Sequence, residues 1–148
     1  SPNFMASADE LRQAITTNRQ KLKDAIGAAG DKWEVGSDGE GDEESWAPRK
    51  VAEHCIPADI HFAGMVAGVM QSKAPEGSEL TLASPAEAAA ALETAGEASD
   101  KVLRYVEDRD LAKEAPMPDG APFGKNIEGV MQLAAYHLDD HANQIASA

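Results

Sequence analysis

Apolar residues return at intervals of three and four along four separate stretches of this chain, and each stretch is bounded by residues that start or stop helices. From Ala8 to about Ala28 the recurring positions are Leu11, Ile15, Leu22, Ala25 and Ile26, with Ser7 placed to cap the start and Gly27 and Gly30 to end it. A second stretch opens on Pro48, a residue suited to a first helical turn. It carries Val51, Ile56, Ile60, Met65, Val66, Val69 and Met70 up to the break "SKAPEGSE". Pro57 lies inside it and predicts a kink. The third, "SPAEAAAALETAGEASDKVLRYVED", begins with Ser84 as N-cap, Pro85 behind it and Glu87 at the third position, the pattern of a capping box. The fourth, "NIEGVMQLAAYHLDDHANQIA", takes Asn126 as its cap.

The segments between are of a different kind. "GDKWEVGSDGEGDEESW" adds three glycines after Gly30 and the acids Asp38, Glu40, Asp42, Glu43 and Glu44, which reads as a solvated loop. "EAPMPDGAPFGK" holds three prolines and two glycines, too many for regular structure. No β-branched alternation and no fixed-period repeat is found. Four helices of about 20 residues predict an all-α fold, an antiparallel four-helix bundle occupying residues 1–148 as one domain. The opening "SPNFM" is consistent with vector-derived residues.

Composition agrees with a helical core. Hydrophobic residues make up 43% of 148 positions and aromatics only 5%, so Ala, Leu, Val, Ile and Met must do the packing. Thirteen basic side chains against twenty-six acidic ones give a formal charge of -13, which repels phosphate backbones and anionic membranes. Nucleic acid and membrane are therefore not expected as partners. The longest apolar run falls short of the roughly 20 residues needed to span a bilayer, and no basic start precedes an apolar segment. A cytoplasmic protein is the expectation. The single cysteine, Cys55, forms no internal disulfide and reads as a small buried apolar group.

The candidate chemistry lies in the histidines. His137 and His141 are four apart, so on a helix they share one face within reach of a common ion, although the same spacing also fits a solvated helix end. A third ligand decides between the two readings. His54 and His61, seven apart on the second helix, are separated by about 10 Å, so at most one of them can join that ion. His61 otherwise reads as a surface or core-edge residue. Trp46, eight positions before His54, reads as packing the start of the second helix onto the bundle, with the alternative that it lines a pocket entrance. There is no E-x-x-H, H-E-x-x-H, G-x-S-x-G or phosphate-binding glycine loop.

Trp46, Pro48, Val51 and His54, followed near the end by His137, His141, Gln144 and Ile145, resemble the pattern of the DinB-like superfamily of metal-binding four-helix bundles. Two positions depart from it: Ala47 stands where Ser or Thr usually caps the helix, at a cost of about 1 kcal/mol, and Asp140 stands where a further histidine is common. Carried over residue by residue, the resemblance implies that His54, His137 and His141 hold one divalent ion such as zinc, nickel, iron or manganese, with coordination positions left open. It also implies an activity, that of a metal-dependent thiol S-transferase or isomerase using a low-molecular-weight thiol such as mycothiol or bacillithiol, and a homodimer. The alternative is a non-enzymatic metal- or small-ligand-binding stress-response bundle, and a third reading is an interaction module whose histidines bind nothing. Arg49, Lys50 and Lys125 are the cations available for the carboxylates of such a thiol.

Overall fold

A computed structural model describes residues 6–77 and 79–148; the opening "SPNFM" lies outside the described residues. Four helices form where the caps and periods predict them. Helix α1 (Ala8–Gly27) starts on a complete capping box: Ser7 Oγ accepts from the Glu10 amide at 3.1 Å, and Glu10 Oε1 accepts from the Ser7 amide at 3.5 Å. Helix α2 (Pro48–Met70) has no side-chain cap at Ala47 and runs unbroken past Pro57. Helix α3 (Pro85–Leu103) closes only half of its expected box. Ser84 Oγ accepts from the Glu87 amide at 3.2 Å, while the Glu87 carboxylate meets the Ser84 hydroxyl instead of its amide. Helix α4 (Ile127–Ala146) is capped by Asn126, whose Oδ1 accepts from the Gly129 amide at 2.8 Å. No strand forms among the described residues; Ser37 with Trp46 and Glu114 with Asn126 make isolated bridges.

The third helix ends at Leu103, five residues before the predicted Asp108. A side chain from α1 accounts for this: Arg12 Nη1 donates to the carbonyls of Leu103 at 3.0 Å and Val106 at 2.7 Å, satisfying acceptors that a longer helix would have used internally.

Helix α1 packs on α3 and α4, and α2 packs on the same two, so α1 and α2 face each other across a diagonal. Contacts along the helices give their directions. Arg12 reaches Leu103, Arg19 reaches Asp100 and Lys23 reaches Glu93, so α1 and α3 are antiparallel. Asn18 donates to the Ala135 carbonyl and Lys21 pairs with Asp139, so α1 and α4 are parallel. His54 meets His137 and His141, whereas Val66 shares a small internal void with Val130 and Met131, making α2 antiparallel to α4. The order is up, down, down, up. The four-helix bundle stands as expected, but it is not antiparallel between every pair of successive helices: the connection from α2 to α3 is a crossover that returns α3 parallel to α2.

The core is aliphatic, as the composition requires. Leu11, Ile15, Leu22 and Ile26 from α1, Val51, Ile56 and Val66 from α2, Leu92 from α3 and Ile127, Met131 and Leu138 from α4 are all buried. Full burial of such a side chain contributes roughly 1.5–3 kcal/mol. One charge pair crosses this apolar interior. Arg19 of α1 holds Asp59 of α2 with two hydrogen bonds, Nε to Oδ2 at 2.8 Å and Nη2 to Oδ1 at 3.0 Å, and its Nη1 reaches Asp100 of α3 at 3.3 Å. The Asp59 side chain is 1% exposed. Gly96 makes room for the guanidinium, since a Cβ there would collide with the Arg19 side chain.

The 30–46 segment is folded onto the bundle rather than simply solvated. Trp33 is buried, with its indole N–H donating to the Leu82 carbonyl at 3.1 Å. Arg49 gathers the segment by pairing with Glu34, Asp38 and Glu53 at 2.9, 2.6 and 2.7 Å. The other oxygen of Glu53 accepts from the Leu82 amide at 2.8 Å, which ties the crossover to the same point.

Removing one partner of a buried ion pair strands the other, so Arg19→Ala is expected to cost about 3–5 kcal/mol, a fall in Tm of roughly 10 °C for a chain of this length. Arg19→Met combined with Asp59→Leu should recover most of that loss in urea unfolding. Gly129→Ala would press its new methyl against the Gly124 carbonyl, a backbone group that cannot swing aside as a side chain would. Its expected cost is about 3 kcal/mol by the same measurement.

Candidate metal centre

His54 stands in the second turn of α2, and His137 and His141 stand one turn apart in the last half of α4, where antiparallel packing brings the two helices face to face. Each ring offers one nitrogen to a common point, and the three donor atoms lie within 4.8 Å of one another. His137 Nε2 and His141 Nε2 are 3.1 Å apart. Two donors bound at zinc–nitrogen distances in a tetrahedron sit about 3.3 Å apart, so the α4 pair fits one ion with little adjustment. The donor set, three imidazoles with no thiolate or carboxylate among them, suits zinc, nickel, iron or manganese and leaves positions for a further ligand.

Burial is graded across the cluster. His141 is buried, His137 half-buried, and His54 sits at the edge with its side chain 41% exposed. Burial, reinforced by the neighbouring His141 and His54, holds the His137 pKa down to about 4. Burial and His141 also lower His54 below its ordinary value, with Glu43 opposing. Neutral imidazoles are the form a metal requires. Around the rings, Trp46 stands edge-on to His54 with ring centroids 5.7 Å apart, and Phe62 stands edge-on to His137 at 5.4 Å. Gln144 Oε1 lies 2.8 Å from His141 Nδ1, and Gln144 Nε2 donates to the Glu43 carbonyl at 2.5 Å. The Glu43 carboxylate is 4.0 Å from His54 Nε2.

His54 opens onto a cleft of about 860 Å³ lined in part by Trp46, Arg49, Lys50, Glu53 and Thr81. Trp46 thus serves the cleft wall as well as packing the helix start. Of the cations read from the sequence, Arg49 is consumed by three carboxylates and Lys125 lies outside the cleft. Lys50 lines the cleft with no ion pair among the described residues and lays its stem across Gly39. His61 is exposed two turns further along α2, beside Gly64 and Met65. Asp140 is also exposed. Cys55 is fully buried, and burial pushes its thiol pKa up, so it takes no part in the cluster. Glu43 is a contributor that the sequence does not single out, because the loop bearing it reads only as acidic and polar.

The lowered His137 pKa makes metal-free stability depend on pH. The unfolded chain takes up this proton near pH 6.5, the folded chain only near 4, so the stabilisation is complete above 6.5 and is lost as pH falls through that window. The urea midpoint of metal-free protein should fall between pH 6.5 and 5, and His137→Gln should flatten the slope there.

The family model described as the DinB superfamily matches residues 38–145, a span that contains all three histidines and Gln144. Searches of curated proteins and of solved structures returned no match. Among the described residues no helix is long and apolar enough to cross a membrane. With a four-helix bundle, three converging imidazoles and a match over most of its length, the chain belongs to the DinB superfamily.

Proposed function

We propose that this protein binds one divalent ion through His54, His137 and His141 and acts as a metal-dependent S-transferase or isomerase on a low-molecular-weight thiol, in the cytoplasm. The observation that carries the reading is the three-imidazole cluster, whose outermost member, His54, lines a cleft large enough for a small molecule. A divalent ion held there would supply Lewis-acid activation, bringing the pKa of a coordinated thiol or water toward neutrality.

The chain's own residues supply the remainder. His141 and His137 form the more buried side of the site, while His54 at the edge leaves the cleft side open to a ligand. Lys50 offers a positive charge to a carboxylate of an anionic thiol, against the overall negative field of the chain. In transfer, the thiol sulfur forms a bond to an electrophilic carbon, the leaving group departs with its electron pair, and the thiol proton passes to solvent or to the leaving group. Isomerisation uses the same sulfur attack followed by its expulsion. Net charge argues against nucleic acid as a partner on this reading.

Elemental mass spectrometry on protein purified without a nickel column should find about one ion per chain, absent from a His137→Ala/His141→Ala double variant. Loaded wild type should then consume a low-molecular-weight thiol with an electrophilic partner, and His54→Ala should lose that turnover while keeping its helical circular dichroism. Metal uptake with no thiol turnover across a panel of electrophiles would move the reading to a non-enzymatic metal-binding bundle. Absence of any ion after incubation with zinc, nickel and manganese would overturn both.

A further inference from the structure

Gln144 has contacts on both sides that determine each other. The Glu43 carbonyl can only accept a hydrogen bond, so the Gln144 atom facing it at 2.5 Å must be the amide nitrogen. The amide oxygen therefore faces His141 Nδ1 at 2.8 Å, and because that oxygen can only accept, Nδ1 must carry the proton. Nδ1–H leaves Nε2 as the lone-pair nitrogen, and Nε2 is the atom that lies 3.1 Å from His137 Nε2 at the point where the donors converge. One backbone carbonyl in the 30–46 segment thus selects the tautomer of a histidine about 100 residues away in the chain.

The same carbonyl belongs to a turn that builds one wall of the cleft. Glu43 O also accepts from the Trp46 amide at 3.1 Å, and the turn is closed by Ser37 N–H to Ser45 O at 2.8 Å and Ala47 N–H to Ser37 O at 2.9 Å. Trp46, at the end of that turn, stands against His54 on the far side of the cluster. A line of hydrogen bonds from His141 through Gln144 to Glu43 therefore joins the α4 ligands to the segment that bears on the α2 ligand.

We propose that Gln144 is a positioning residue that presents His141 Nε2 to the metal and couples metal occupancy to the order of the 37–47 turn. The inference rests on the three-histidine reading above. An ion on His141 fixes the ring, the ring fixes the Gln144 amide, and the amide fixes the Glu43 carbonyl. Removing the hydrogen-bond partner of a metal-bound histidine typically weakens metal affinity 10- to 100-fold.

Two variants separate the two halves of the device. Gln144→Leu removes both contacts. Gln144→Glu keeps an acceptor for His141 Nδ1–H but loses the donor to Glu43. Zinc affinity by chelator competition, and hydrogen exchange at the Ser37, Trp46 and Ala47 amides with and without zinc, are the readouts, with helical circular dichroism as the folding control. Gln144→Leu is expected to bind zinc at least tenfold more weakly and to lose the zinc-dependent slowing of exchange at those amides. Gln144→Glu is expected to keep affinity near wild type yet also lose the slowing. Wild-type affinity and wild-type slowing in Gln144→Leu would overturn the proposal and leave the metal reading intact. Zinc binding that is equal in wild type and in His137→Ala/His141→Ala would overturn the metal reading itself, and this proposal with it.

Discussion

The bundle turns on a single charge pair laid across its diagonal. Arg19 and Asp59 belong to α1 and α2, the two helices that do not pack side by side, and the bidentate bond between them passes through an interior filled mostly by aliphatic groups. Aliphatic side chains are tolerant of sliding, because one Leu–Val contact resembles another. A buried carboxylate is not tolerant, because any arrangement that separates it from its guanidinium leaves a charge without water or partner. Burial pushes the Asp59 carboxyl up from its ordinary value and Arg19 opposes that push, so the pair holds only in the register that brings both together. Asp59 is five residues beyond His54 on the same helix, and the register set at Asp59 is the one that delivers His54 to α4.

Much of the fold was legible because caps and periods are local. Ser7 with Glu10, Pro48, Ser84 with Pro85, and Asn126 each mark a helix start within the span of a few residues, and each start is found where they put it. Helix direction was not legible, since the polar 72–84 crossover carries no signal that tells a hairpin from a parallel return. The ion pair left a faint trace: Arg19 interrupts the stripe of Ile15, Leu22 and Ile26, and Asp59 falls between Ile56 and Ala63. Polar residues in apolar stripes are the sequence form of a buried pair, but the partner of each lies on another helix. The loop from Gly30 to Trp46 hid its anchor, because one buried Trp33 is outweighed by the acids and glycines around it.

The candidate site was legible in its residues and not in its surroundings. The i, i+4 spacing places His137 and His141 together on any helix, whereas the arrival of His54 depends on helices meeting in space, and it was reached through the Trp46–His54 resemblance. What surrounds the cluster follows from tertiary structure alone: an accepting carbonyl supplied by a loop, a cleft between that loop and the crossover, and in it Lys50, without an ion pair among the described residues, while Arg49 is bound by three carboxylates. Function of the kind proposed depends on that division. The helices hold the donors rigid, and the two connectors shape what reaches them.

Cys55 follows His54 directly in the chain, yet it points into the core, fully enclosed, with burial disfavouring its thiolate. On the proposed reading, small thiols and electrophiles would threaten the protein's own sulfur in two ways: mixed disulfide formation and alkylation. Both need an accessible thiolate. Turned inward by one helical position from His54, the Cys55 sulfur belongs to the scaffold and is withheld from both reactions.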